Sequence, residues 1–256
     1  MINMTKAEIK RLFKSKGFLI SIFIFIFISL ALMMLSSESE AAVKSMSENG
    51  FHLSVTIVPK TINSYALSFG ISFGVLTMGI YLNHFICHEY NTNYIKNTVT
   101  QNNGRISVIL SKTVIALIFS FITIILSYVV SWLYGTLLLD KFIIESIPEI
   151  LKTIVLLLFI SMATFSLAIF VSTLSKNQAI GIIVLFLVAS GMILPVIQNI
   201  CQIMNISEVA TYTLSYFFDI LSVDIKNMYL KIISMCTIYI LVYNILSVFI
   251  LRKRDF

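Results

Sequence analysis

The chain has 256 residues, of which 58% are hydrophobic and 12% are charged. Soluble globular domains carry about 25% charged residues, so this composition excludes an ordinary soluble domain. A mean hydropathy of +0.96 also excludes intrinsic disorder, which requires low hydrophobicity and high charge density. The net charge of +6 is compatible with nucleic-acid binding only if the basic residues form one patch.

Six apolar stretches are each long enough to cross the roughly 30 Å hydrocarbon core of a bilayer as a helix. They are residues 18–35, 62–85, 114–139, 154–174, 179–200 and 232–251, and none contains Asp, Glu, Lys or Arg. One such stretch could be a buried core helix, but six predict an all-α integral membrane protein with a six-span domain over residues 18–251. The first stretch could instead be a cleaved signal peptide. It is longer than the usual signal core, so we expect an uncleaved span.

The charges outside these stretches divide unequally between the two sides of the membrane. The segments on the side of the two termini hold twelve Lys and Arg against three acids, whereas the opposite segments hold six Lys against nine acids. Because basic residues concentrate in cytoplasmic loops, we predict that both termini lie in the cytoplasm, including a basic tail at residues 252–256. The net charge is then an orientation signal, and we expect no nucleic-acid partner.

The first 17 residues have the pattern of an amphipathic helix that lies on the inner membrane surface against lipid. Thr5 and Glu8 have the spacing of a capping box, which would begin the helix at Thr5. The predicted apolar face consists of Ile9, Leu12 and Phe13. The predicted basic face consists of Lys6, Lys10 and Lys14. A simple basic flank to the first span is the alternative.

Several residues within the predicted spans favour helix packing or bending. Gly70 and Gly74 have the G-x-x-x-G spacing that lets helices approach closely. Gly191 and Pro195 would allow the fifth span to bend or unwind near its outer end. Asn244 is the most notable polar residue within a span, and it could either join helices or line a pathway.

Motifs for chemistry are missing from the sequence. It has no P-loop, no H-E-x-x-H and no Cys-x-x-Cys pair. His84 and His88 are spaced as metal ligands could be, but no further ligands accompany them, so we expect neither a metal site nor a catalytic site. The spans also lack the ionisable groups on which proton relays and ion-coupled transporters depend. A transporter of this composition would need an energy source in another subunit.

Residues 88–111 form the longest predicted cytoplasmic loop, and its polar sequence contains short apolar turns around Tyr94. This pattern favours a compact helical element that contacts another protein. Arg105 and Lys112 would flank the start of the third span and extend towards the membrane surface.

This layout resembles the permease subunits of type-2 ATP-binding-cassette exporters over nearly the whole chain. The most specific stretch begins with Glu89 at the end of the second span and continues through Asn97-Thr98 to Arg105 and Lys112. In the family it reads as an acid, a Gly-Thr pair, then Arg and Lys. Here Asn97 stands where Gly is usual, and the Pro often found before the Arg is missing.

The resemblance implies a coupling helix within residues 88–111 that docks into a separate ATPase subunit. The residues implied in coupling are Glu89, Tyr94, Asn97, Thr98 and Arg105. Two permeases, identical or different, would pair with two ATPases that bind ATP and Mg²⁺, and this chain would hold no cofactor.

The size and the Ile/Lys/Asn-rich composition are similar to a subgroup in the plasma membrane of Gram-positive bacteria. Its members export, or confer immunity to, lantibiotics, bacitracin-like or other amphipathic peptides. The alternative from another class is a polytopic membrane protein without a transport role, such as a sensor anchor or assembly factor.

Overall fold

A computed structural model describes residues 2–48, 61–92, 94–95, 104–139, 142–220 and 228–253. These residues are mainly helical and contain no strand beyond an isolated bridge between Thr61 and Ile143. The helices are α1 (Ile2–Lys14), α2 (Lys16–Glu48), α3 (Ile62–Tyr65), α4 (Ser72–Asn91), α5 (Gly104–Leu138), α6 (Ile147–Ser175), α7 (Gln178–Ala189), α8 (Ile193–Ile203), α9 (Leu214–Ile220) and α10 (Tyr229–Lys253). A π-helical segment, Ala66–Ile71, joins α3 to α4, and a 3-10 helix, Ser207–Tyr212, precedes α9.

The described residues contain four helices that are long and apolar enough to cross a membrane individually. They are Lys16–Leu35, Gly104–Leu138, Ile147–Ser175 and Tyr229–Lys253. Two further spans would each consist of two pieces: Ile62–Ser68 with Ser72–Asn91 at 44°, and Gln178–Ala189 with Ile193–Ile203 at 71°. The all-α membrane class is confirmed, whereas the six-span topology and the side of each terminus stay predictions.

The helices extend beyond the predicted spans. α5 begins at Gly104 rather than at residue 114, and α4 continues to Asn91. The prediction ended each span at its first polar residues, but a helix continues into water wherever its backbone hydrogen bonds and side-chain contacts are kept. Both ends of the predicted coupling loop, residues 88–111, are therefore helical.

The predicted fifth span, residues 179–200, corresponds to two helices, α7 and α8, that meet at a 71° bend. α7 ends at Ala189, and Gly191 follows with a φ of +71°, a conformation that residues with a Cβ rarely adopt. At about 1.5 Å per residue, α7 covers about 18 Å and is too short to cross the bilayer core alone. Pro195 lies in the first turn of α8, where a missing N–H costs no helical hydrogen bond.

α6 is the central helix of the described bundle, because α4, α5, α7 and α10 all pack against it. In the apolar stretch of α6, 67% of the residues are buried, against 17% in that of α10. α10 and α2 consequently have several large apolar side chains exposed on the outside of the described bundle.

Three contacts bring the predicted cytoplasmic segments to one end of the bundle. Lys112 of α5 binds Glu8 of α1, and the Lys176 ammonium lies 5.9 Å from the ring centre of Tyr90 in α4. Arg105 Nη1 donates a hydrogen bond to the carbonyl oxygen of Arg252 at 2.6 Å. We call this end, where α1, the end of α4, the start of α5, the α6–α7 turn and the end of α10 meet, the basic end.

Candidate coupling site

Four charged side chains from three helices meet at the basic end. Glu8 and Arg11 come from α1, Glu89 from the last turn of α4, and Lys112 from the third turn of α5. Lys112 Nζ donates to Glu8 Oε1 at 3.1 Å and also to Glu89 Oε1. Arg11 Nη2 donates to the same oxygen of Glu89. We call these four residues the ion cluster.

The ion cluster is largely removed from solvent. Glu8, Glu89 and Lys112 are 1%, 2% and 1% exposed, and Arg11 lies at the rim with 37% of its side chain exposed. Removing an isolated charge from water costs several kcal/mol, so burial is tolerated here because two carboxylates face two cations. Within the described residues, Glu8 Oε2 is buried and accepts no hydrogen bond. The cluster is therefore balanced in charge, and loss of either cation would leave a buried carboxylate uncompensated.

Two aromatic rings, those of Phe85 and Tyr94, also contact the cations of the cluster. The Arg11 guanidinium carbon lies 4.2 Å from the ring centre of Phe85 and 5.1 Å from that of Tyr94. Lys112 Nζ lies 4.9 Å from the Phe85 ring centre. Such cation–π contacts add about 0.5–2 kcal/mol each. Burial lowers the pKa of Arg11 from its ordinary value while Glu8 opposes the shift, and the guanidinium remains protonated at neutral pH.

The structure brings together two of the five residues that the family resemblance implies in coupling. Glu89 and Tyr94 both contact Arg11, and the buried carboxylate of Glu89 faces α1 and α5 rather than a docking partner. Arg105 lies apart from the cluster and joins α5 to α10. Asn97 and Thr98 lie outside the described residues.

The capping box predicted at the start of α1 is wrong. The helix already begins at Ile2, so Thr5 lies about one turn inside it. The carboxylate of Glu8 binds Lys112 instead of the backbone, because a buried ammonium is a stronger partner for a carboxylate than an N–H already within a helix.

The predicted lipid-facing side of α1 is only partly exposed. Leu12 is fully buried in the protein core, Ile9 is half-buried and Phe13 is exposed. One side of the helix packs on α5, which the sequence pattern could not distinguish from contact with lipid. Lys6, Lys10 and Lys14 are exposed. The location of α1 on the membrane surface stays a prediction.

The expectation that Lys112 extends to the membrane surface is also wrong. Its ammonium is buried among Glu8 and Glu89. Snorkelling is the expected conformation for a lysine without an internal partner, and here two carboxylates within the protein replace water.

A second polar contact joins α4 to the α6–α7 turn at the basic end. Asn83 Nδ2 donates to the carbonyl oxygen of Gln178 at 2.7 Å, and its Oδ1 accepts a hydrogen bond from Ser172. Gly181 provides the space for the Asn83 side chain, because a Cβ at position 181 would collide with the Asn83 amide. His84 Nδ1 lies 3.1 Å from Gln178 Oε1. In the described part of the chain, no three His, Cys, Asp or Glu side chains are grouped as metal ligands.

The sequence pattern does not single out Asn83 and Arg11, which lie at contacts between helices in the structure. Arg11 is one of several basic residues near the N-terminus, and no spacing in the sequence distinguishes it from the others. An amide within the last turns of a predicted span was an available signal for Asn83, because such a group needs a partner in the membrane.

Replacing Asn83 with Ala is expected to lower the stability of the membrane domain by about 1–3 kcal/mol, since the Gln178 carbonyl would lose its buried donor. Thermal unfolding of the purified chain in detergent measures the change. Asn177→Ala is the comparison, because Asn177 is exposed and caps only the start of α7. An Asn83→Ala protein that unfolds at the wild-type temperature would show that the Asn83 contact does not stabilise the packing of these helices.

The glycines predicted for packing lie where α4 and the segment before it come closest to α5. A Cβ at Gly70 would be 2.5 Å from Ser127 Cβ, and one at Gly74 would be 2.5 Å from Thr123 Cγ2. Asn244 joins α10 to α5, because its Oδ1 accepts a hydrogen bond from Thr113 Oγ1 at 2.6 Å. Gly191 and Pro195 lie apart from these contacts, at the bend between α7 and α8.

A family model described as ABC-2 family transporter protein matches residues 4–192 of the chain. The match runs from α1 to the bend after α7 and contains the whole ion cluster. No curated protein sequence matches the chain. Because the family model covers well over half of its residues, this chain belongs to the ABC-2 transporter family of ATP-binding-cassette membrane permeases.

Proposed function

We propose that this chain is a permease driven by a separate ATPase subunit that docks at the basic end, and that it exports an amphipathic, antimicrobial-type peptide. The ion cluster is the observation that carries the coupling part of the proposal. It joins α1, α4 and α5 on both sides of the chain segment between α4 and α5. A movement of that segment would therefore reach three helices together.

The energetics of the cluster favour transmission of movement over local rearrangement. Removing one partner of a buried ion pair destabilises a protein by about 3–5 kcal/mol, because the other charge stays buried and uncompensated. A displacement at the end of α4 would strain the contacts of Glu89 with Arg11 and Lys112, which favours movement of α1 and α5 together with α4. Coupling requires a packed element whose arrangement changes both with the docked ATPase and with the substrate in its pathway. Under this proposal, the three helices joined by the ion cluster are that element.

The surface around the cluster suits a protein partner. Lys6, Lys10 and Lys14 lie exposed along α1, and Tyr94 is 37% exposed beside Arg11. A basic surface of this kind favours a partner with an acidic patch, since complementary charge speeds and orients docking.

The substrate part of the proposal follows from the chemistry of the spans. The predicted spans contain no Asp, Glu, Lys or Arg, so a proton relay or an ion-coupled mechanism would lack its usual groups. Apolar walls with scattered hydroxyl and amide groups suit a molecule with one apolar and one polar face. Two permeases, identical or different, would enclose its pathway.

Replacing residues 97–103 with a Gly/Ser segment of equal length is expected to abolish co-purification of the ATPase while the permease still inserts into the membrane. The same replacement at residues 221–227, between α9 and α10, is the control and should leave ATPase binding intact. Unchanged ATPase binding by the first variant would contradict docking through this segment.

ATP-dependent movement of a labelled amphipathic peptide in proteoliposomes tests the substrate. The permease–ATPase complex should transport such a peptide, and the 97–103 replacement should abolish transport. If the intact complex hydrolyses ATP but moves no amphipathic peptide, the substrate class is wrong although the coupling proposal stands.

A further inference from the structure

An open apolar groove of about 440 Å³ lies between α5 and α10 at the basic end. Ile109 and Leu110 form one wall, and Leu241, Ile245 and Phe249 form the other. Leu241, Ile245 and Phe249 are more than half exposed. Asn244 at its inner wall is already hydrogen-bonded to Thr113, so the groove offers contact chiefly to a hydrocarbon.

The mouth of the groove carries positive charge. Arg252 lines the groove and is exposed, and the adjacent Lys253 ammonium lies 4.6 Å from the ring centre of Phe249. The guanidinium of Arg105 is also at this mouth, because it donates a hydrogen bond to the carbonyl oxygen of Arg252. Among the described residues, neither Arg252 nor Lys253 forms a salt bridge. This end of the groove therefore favours an anionic group.

The length of the groove matches one leaflet of a bilayer. Its α10 wall runs from Leu241 to Arg252, which at about 1.5 Å per residue is about 16 Å. Half of a bilayer core is about 15 Å. A chain lying in the groove would therefore reach the bilayer midplane when Arg252 is at the level of the headgroups.

We propose that this groove holds one acyl chain of an anionic phospholipid of the cytoplasmic leaflet, with its phosphate group at Arg252. Basic pockets between helices on the cytoplasmic side are suited to anionic headgroups, and an apolar groove of leaflet depth is suited to the attached chain. The site is separate from the ion cluster and does not depend on peptide export.

Native mass spectrometry of the full-length permease in mild detergent tests the proposal with phosphatidylglycerol and phosphatidylcholine of equal chain length. Phosphatidylglycerol should remain bound at one molecule per chain, and Arg252→Gln should weaken its binding about fivefold. Lys176→Gln, at the same end but outside the groove, is the matched control. Equal retention of both lipids, or equal loss in both variants, would overturn the assignment.

The apolar part of the site is tested by filling the groove. Ile245→Trp should displace the lipid chain and reduce phosphatidylglycerol retention, whereas Leu246→Trp, an exposed α10 residue outside the groove lining, should not. A second copy of the chain would be the occupant instead if Phe249→Cys formed disulfide-linked permease dimers in oxidised native membranes. That result would also overturn the lipid assignment.

Discussion

Replacing Lys112 with Met is expected to lower the stability of the membrane domain by about 3–5 kcal/mol, because Glu8 would remain buried without a cation partner. Glu89 would keep only Arg11. Under the proposed coupling, the variant should also lose peptide-stimulated ATP hydrolysis, since α5 would no longer be tied to α1 and α4. Thermal unfolding in detergent and ATPase assays of the reconstituted complex measure these two effects.

A second substitution separates charge balance from general damage. Adding Glu8→Gln to Lys112→Met leaves one carboxylate facing one guanidinium, so stability should partly return although coupling stays impaired. Lys14→Met removes an exposed α1 lysine and should change unfolding little, since exposed charges contribute at most about 1 kcal/mol. If Lys112→Met unfolded at the wild-type temperature, the ion cluster would not stabilise the fold.

Replacing Gly74 with Ala is expected to destabilise the domain by about 1–3 kcal/mol through overpacking. The added Cβ would lie 2.5 Å from Thr123 Cγ2 and 3.0 Å from Phe25 Cε2, so α4 would have to move away from α5 and α2. Thermal unfolding of the purified permease measures the loss.

The neighbouring contacts supply a rescue and a control for the Gly74 prediction. Thr123→Ser removes the colliding methyl group and should recover part of the loss, with Phe25 accounting for the remainder. Gly79→Ala should cost less, because its Cβ would meet the flexible Leu185 Cδ1 at 3.1 Å. Failure of Thr123→Ser to improve the Gly74→Ala protein would show that the close approach of α4 to α5 is not the cause.

The membrane class could be predicted because the bilayer restricts which residues a spanning segment can contain, and this restriction is visible in the sequence. A lipid core excludes charges and requires internally satisfied backbone groups, so six long charge-free stretches were sufficient to indicate helices. The positions of α2, α5, α6 and α10 follow closely from these stretches, although their ends do not. A helix does not end at the first polar residues beyond a predicted span when its side chains there still contact other helices.

The ion cluster could not be predicted in the same way. Glu8 and Lys112 lie 104 residues apart, and Arg11 and Glu89 lie 78 apart. Each of these residues had a sufficient local interpretation: Glu8 as a cap, Arg11 as a cytoplasmic flank, and Lys112 as a snorkelling side chain. The family resemblance singled out Glu89, but it did not indicate that its carboxylate turns inward.

The amino-acid sequence by itself determined that this protein is a helical membrane protein, because that property depends on the number and length of its charge-free apolar stretches. Only the tertiary structure decided which charges face each other, how sharply the fifth apolar stretch bends, and where Asn83 finds its partners. Burial is the physical reason. A charge or an amide in a dry interior must have a partner, and that partner is chosen by the packing of helices that are distant in sequence.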